Sequence, residues 1–242
     1  MIGLRTTYHQ EIEELRNQIV RLAGSVIEAI PRATNILLDG DLEGAEYMIS
    51  ADDEIDARAL DLEEEIYRVM ALQAPVAMEL RTLVSSVKII AEVERSADLA
   101  VNICKAARRL YGHGLDPRLR GLIAKMAEQA QALYVAAIES YVENDAAKAS
   151  AIDDMDSLLD GLQREFIQVI FESHASGRID LQVAVQLAVV ARFYERIGDH
   201  AVNIGERVRY VVTGWLPEHE GAARYRARAT AQEDLETAEL ED

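Results

Sequence analysis

One ten-residue segment occurs twice in this chain. Residues 94–103 read ERSADLAVNI and residues 195–204 read ERIGDHAVNI, agreeing at seven of ten positions. Fidelity of that order at so long a period means two copies of one supersecondary unit, so a fold proposed for one half must serve for the other. The stretches ahead of the two segments agree more loosely, DDEID at 52–56 corresponding to IDDMD at 152–156.

Hydrophobic spacing gives the unit its content. Over 7–38 the apolar residues Ile12, Leu15, Ile19, Leu22, Val26, Ile30, Ala33 and Leu37 recur in steps of three and four, which is one stripe along a helix. Pro31 lies inside that stripe and is expected to kink it, because it has no N–H to donate. Asp39-Gly40-Asp41 ends this helix and caps a second one that runs to about residue 72. After Ala74-Pro75 a third helix runs to about residue 111. GHGLDP at 112–117 then reads as a linker, with Asp116 as cap and Pro117 in the first turn of a fourth helix.

A second triplet starts there: 118–142, a break at 143–145, a helix to about 174, a break at Ser176-Gly177, and a last helix over 179–212 stopped by TGWLP. No stretch alternates as a strand does. The reading is an all-α fold of six long helices, arranged as two tandem, similar three-helix bundles at 1–112 and 117–214 and related by an approximate two-fold. The alanine-rich, acidic stretch at 218–242 has no apolar stripe, so it is expected to be a disordered tail that folding does not need.

A formal charge of −18 argues against a nucleic-acid surface, which needs clustered Lys and Arg. Cations, or proteins with basic patches, suit it better. Cys104 is the only cysteine, which excludes an intramolecular disulfide and a CxxC site. The charged start MIGLRTTYHQEIEEL does not fit a secretory leader, and no apolar run approaches the roughly 18 residues of a membrane span. The expected location is the cytoplasm.

Two pairs of acids are the main chemical signal. Leu80, Val84, Val87, Ala91 and Val101 form an apolar stripe on the third helix, and its rhythm includes Glu94 and Asp98. Val185, Ala188, Ala191 and Val202 do the same on the last helix, with Glu195 and Asp199 in register. A spacing of four puts each pair on one face, a turn apart, where two like charges are costly unless a cation or donors offset them. Asp52 and Asp56 on one second helix, Asp153 and Asp156 on the other, supply further carboxylates. An oxygen-only set suits hard or borderline cations, Mg²⁺, Ca²⁺, Mn²⁺ or iron, and not a structural zinc. Arg95 and Arg196 project off the acid face toward carboxylates of a neighbouring helix or an ordinary ion pair. Asn102 and Asn203 lie a turn beyond each Asp, suited to hydrogen bonds behind the ligands, while His200 falls off the acid face.

With the doubled ERxxDxAxNI segments, the acidic DDEID and DDMD stretches, and Gln73-Ala74-Pro75 with Glu79-Leu80-Arg81 before the third helix, the chain resembles the PhoU family over about 8–214. That resemblance implies two three-helix bundles, each with an E/DxxxD signature that binds a multinuclear metal cluster. Carried over, the signature falls on Glu94 and Asp98, and on Glu195 and Asp199, with Asp52 and Asp56 as the acids of the second helix. One departure is Ile152, which stands where the first half has Asp52, so the second site must use Asp153 or lose a ligand. The first motif also has Ala97 where the second has Gly198.

The resemblance further implies a negative regulator of the phosphate-starvation response: a homodimeric adaptor linking the ATP-binding subunit of the phosphate importer to a sensor histidine kinase, reaching the membrane only through these proteins. Two other classes compete with it. A metal-dependent helical oxidase needs Glu-x-x-His pairs, and no histidine here has a glutamate three residues before it. No Ser/His/Asp order, P-loop or dinucleotide fingerprint appears, and no catalytic residue is assigned. A structural scaffold with merely solvated acids is the other class, and metal content separates it from the regulator.

Overall fold

Aspartates start four of the helices. The computed structural model describes residues 2–216 and Tyr225, with side chains from Tyr8 onward, so apart from Tyr225 the expected tail at 218–242 lies outside the described residues. Its helices are α1 (Ile2–Asp39), α2 (Leu42–Ser50), α3 (Asp52–Gln73), α4 (Ala77–Leu110), α5 (Pro117–Glu143), α6 (Ala146–Ala175) and α7 (Leu181–Thr213). Asp41, Asp116, Asp145 and Asp180 each accept from a backbone N–H of the turn they open, at α2, α5, α6 and α7. There is no strand among the described residues.

The second of the six long helices is interrupted at a single residue, Ala51, and so forms α2 and α3. Ser50 Oγ donates to the Tyr47 carbonyl at 3.0 Å, a local bond that competes with the helix ladder at the break. Its counterpart in the second half, α6, runs through unbroken.

Both halves share one continuous hydrophobic core. The α1 stripe from Leu15 through Ile19, Leu22, Val26, Ile30, Ala33 and Leu37 is buried within it. Helices α1, α4, α7 and α5 pack in that cyclic order as a central square, with α2 and α3 outside α1 and α4, and α6 outside α5 and α7. Each inter-half pair of packed helices therefore consists of a helix and its own repeat mate, α4 with α7 and α1 with α5, as an approximate two-fold requires, and single side chains reach across the diagonals of the square. Buried hydroxyls fix the seam: Thr34 Oγ1 lies 2.7 Å from Tyr194 Oη, and Ser86 Oγ 3.3 Å from Tyr141 Oη.

The α1–α5 contact repeats one device in both directions. Arg16 donates to the carbonyls of Tyr141 and Val142 at the end of α5, and Arg120 donates to the carbonyl of Leu38 at the end of α1. The two arginines hold corresponding positions, each twenty-three residues before the last residue of its own helix. Each supplies donors and positive charge where a helix end has unpaired carbonyls and negative partial charge.

Helix α1 continues through Pro31, and the other half explains how. Proline has no N–H for the carbonyl four residues back, Ile27. Gln131 Nε2, from α5, donates to that carbonyl at 2.9 Å. Because an acceptor left half-buried and unpaired is penalised, Gln131→Leu is expected to destabilise the fold by about 1 kcal/mol. In a Pro31→Ala background, where the helix supplies its own donor, the cost should shrink toward zero. Urea unfolding of the four proteins of this cycle measures it, and an equal cost in both backgrounds would refute the account.

Candidate functional site

Helix α4 has a buried side and a half-exposed side, and the acids are on the latter. Leu83, Ile90, Val93, Ala97, Ala100 and Cys104 are buried. In the stripe read from the sequence, by contrast, Leu80 and Val84 are exposed and Val87 and Ala91 half-buried, with only Val101 buried. Helix α7 repeats this, with Val185 exposed, Ala188 and Val202 half-buried and Ala191 buried. The acid pairs thus do not interrupt a core stripe, as the spacing suggested; they end an outer apolar band. A helix packed on α1 and α3 on one side and on α7 on the other is apolar nearly all round, and periodicity then shows more than one stripe.

In the first half α3 and α4 bring the four expected carboxylates within electrostatic reach. Burial, then Asp98 and Asp56, push the Asp52 carboxyl above its ordinary value, with Lys105 opposing. Asp56 is raised by burial and by Asp98, and Glu94 by burial, Asp98, Asp56 and Asp52. Asp56 is exposed, whereas Asp52, Glu94 and Asp98 are half-buried. Asp56 and Glu94 also line an open groove of about 340 Å³ between α3 and α4, with Leu60, Glu63, Ile90 and Ala91.

In the second half the cluster is rearranged. Burial first, then Asp160, Asp199 and Asp153, push the Asp156 carboxyl up to about 6. Asp153 and Asp199 are exposed, and Ile152 is fully buried, so that position offers no ligand. Glu195 is half-buried and ion-paired with Arg192 on its own helix. Gly198 brings α6 against α7 here. A Cβ at this position would stand 2.6 Å from Asp156 Oδ1 and 2.7 Å from Leu159 Cδ2, so the glycine makes room for the Asp156 carboxylate.

The donor set fits a hard cation in its chemistry. Asp52 Oδ1, Asp156 Oδ1 and Glu195 Oε2 are buried and have no hydrogen-bond partner, a costly state for carboxylate oxygens that a cation would relieve. In their present positions no three or more His, Cys, Asp or Glu side chains, among the described residues, are arranged to hold a metal ion. Ligation would require the carboxylates of α3 and α4, and those of α6 and α7, to come closer together.

The residues flanking the acids behave differently from one another. Arg95 pairs with Glu92 of its own helix at 3.4 Å and not with a neighbouring helix, while Arg196 is exposed. Asn102 is half-buried. Asn203 does not stand behind Asp199: its Nδ2 donates to Glu92 Oε2 across the halves at 3.2 Å. His200 faces away from the acids, as its position suggested, with Nδ1 2.5 Å from the same Glu92 oxygen. Burial pushes Glu92 up, but the His200 and Asn203 bonds outweigh it and hold the carboxyl below its usual range. Sequence reading missed Glu92, Asp160 and Lys105. Glu92 had a faint signal, standing three residues after the core residue Ile89, but its partner is 108 positions away. Cys104 is buried beside Met48, its Sγ 3.6 Å from the thioether sulfur, and its thiol is pushed up to about 11 by burial.

Comparison with known proteins covers both halves. The family model described as PhoU domain matches residues 19–107 and again 123–208. Phosphate-specific transport system accessory protein PhoU homolog 1 of Mycobacterium tuberculosis is 38% identical over 223 residues, which is 92% of this chain and 100% of that protein. PhoU homolog 2 of the same organism is 35% identical, over 88% of this chain and 100% of its own length. Among solved structures, PhoU from Pseudomonas aeruginosa superposes with a TM-score of 0.81 at 27% identity, covering 86% of this chain and all of that one. The phosphate transport system regulatory protein PhoU from Streptococcus pneumoniae gives 0.80 at 25% identity, over 86% and 98%.

Proposed function

Because the chain belongs to the PhoU family, we propose that it represses the phosphate-starvation response when phosphate is plentiful, as a metal-binding adaptor between the phosphate importer and a sensor histidine kinase. The single observation that carries this reading is the doubled family domain, spanning both halves of a chain whose relatives are named phosphate-specific transport system accessory proteins. The role is regulation of phosphate transport, and the chain is not an enzyme.

An accessory protein without an active site acts by binding one conformation of its partner more tightly than another. Exposed apolar residues support such docking: Leu72, Val76, Met78, Leu80 and Val84 cluster where α3 turns into α4. The partners proposed are the importer's ATP-binding subunit and the kinase, with a second copy of the chain as a homodimer. No described helix is long and apolar enough to cross a membrane, and we place the protein in the cytoplasm, held at the membrane by its partners.

Mg²⁺, Mn²⁺ or iron is the proposed cofactor. Asp52, Asp56, Glu94 and Asp98 would hold it in the first half, and Asp153, Asp156, Glu195 and Asp199 in the second. A bound cation would supply the positive charge that these carboxylates lack. Deleting the gene is expected to leave phosphate-responsive genes on in phosphate-rich medium, and the tagged protein should recover the kinase or the ATP-binding subunit from membranes. Normal silencing in the deletion strain, with no second family member present, would overturn the regulatory reading.

A further inference from the structure

At the centre of the α4–α7 contact one carboxylate oxygen, Glu92 Oε2, meets both His200 Nδ1 at 2.5 Å and Asn203 Nδ2 at 3.2 Å. The side chains of Glu92 and His200 are only 14% and 7% exposed. The other ring nitrogen of His200, Nε2, is buried and unpartnered among the described residues. Loss of the Glu92 bond would therefore strand the whole buried imidazole, so the arrangement favours one register of α4 on α7 strongly over its neighbours.

The repeat shows that this contact is not a by-product of symmetry. Positions 92, 200 and 203 correspond to Phe193, Leu99 and Asn102, so the symmetry-related place has an aromatic ring and a leucine where the carboxylate and imidazole stand. A duplicated helix pair carries a polar clasp on one side only.

Its position relates it to both acid clusters. Glu92 is two residues from Glu94, about 200° around the same helix, so α4 holds the first cluster on its outer side and the clasp on its inner side. His200 follows Asp199 directly, about 100° around α7, so that helix too bears signature acids and a clasp residue on different faces. We infer that Glu92, His200 and Asn203 are positioning residues that couple the two carboxylate clusters, so that occupation of the first by a cation is felt on α7. The inference rests on the reading of those clusters as cation sites. Drawing Asp52 and Asp56 of α3 toward Glu94 and Asp98 shifts α4, and the clasp passes that shift to the helix that bears Glu195 and Asp199.

The test uses the full chain, stripped with chelator and carrying Glu195→Ala/Asp199→Ala, so that only the first cluster can take Mn²⁺. Backbone hydrogen exchange is followed by mass spectrometry with and without Mn²⁺. Exchange is expected to slow on α4 around 94–98 and also on α7 around 197–205, by at least about fivefold, the lower end of ordinary site-to-site coupling. Adding Glu92→Leu should keep the α4 effect and abolish the one on α7. Glu92→Gln, which retains an acceptor oxygen, should keep both. His200→Leu places the leucine of the symmetry-related position in the contact and should behave as Glu92→Leu, which covers the case in which the first variant folds poorly. Protection of α7 that persists in both leucine variants, or that never appears while α4 is protected, overturns the coupling alone. No Mn²⁺ effect on either helix overturns the cation reading as well.

Discussion

Chelator-stripped protein is expected to melt about 5–10 °C below the same protein in Mn²⁺ at a hundredfold excess over its dissociation constant. Mass action sets the size of the difference. A ligand that binds only the folded state at that excess adds about 2.7 kcal/mol, and for a chain of this size each kcal/mol is worth roughly 2–4 °C. The structural basis is the set of buried, unpartnered oxygens on Asp52, Asp156 and Glu195, together with like charges on facing helices. Asp98→Ala/Asp199→Ala removes one signature carboxylate from each cluster and should reduce the difference to a degree or two. Calorimetric scans of both proteins, with Mn²⁺ and with chelator, decide between the two outcomes. Equal midpoints in all four scans would mean that these acids are merely solvated.

The same crowding gives a second large effect, with opposite signs in the presence and absence of metal. The Asp156 carboxyl is raised to about 6 in the folded protein, by burial and by Asp160, Asp199 and Asp153, against an unfolded value near 3.8. A raised folded value means that the protonated form is favoured by folding. Its contribution is full below about pH 4 and is lost as pH rises through 6. The shift corresponds to nearly 3 kcal/mol if taken whole, and solvent screening at this half-buried group reduces it to about 1–2 kcal/mol. Asp156→Asn, of nearly equal shape but uncharged, should therefore stabilise the metal-free protein by that amount at pH 8 and have almost no effect at pH 4. In saturating Mn²⁺ at pH 8 the same substitution should destabilise, because a ligand is lost. Urea unfolding at the two pH values, with and without metal, gives the three numbers. Destabilisation by Asp156→Asn in metal-free protein at pH 8 would contradict the electrostatic account.

Much of the architecture was legible because it is written locally. The α1 stripe ending at Leu37, the linker at 112–117 and the duplicated segment each depend on residues a few positions apart, and the structure places them as the spacing implies. The acid pairs Glu94/Asp98 and Glu195/Asp199 were legible for the same reason, since a spacing of four fixes a shared face. The environment of that face was not legible. Leu80 and Val84 look like core residues in the sequence and are exposed, because α4 is covered on two sides and its apolar residues outnumber the positions the core can take.

Sequence by itself determined the helices, their duplication, the carboxylates each pair presents and, through the repeat, the family. Periodicity and capping are short-range physics and need no knowledge of the partner helix. Only the tertiary structure decided which face of α4 meets α7, that Gln131 supplies the donor Pro31 withholds from Ile27, and that Glu92 finds His200 and Asn203 in the other half. Those contacts depend on the register of antiparallel helices more than a hundred residues apart, which is set by the packing of the whole core and leaves no local trace in the chain.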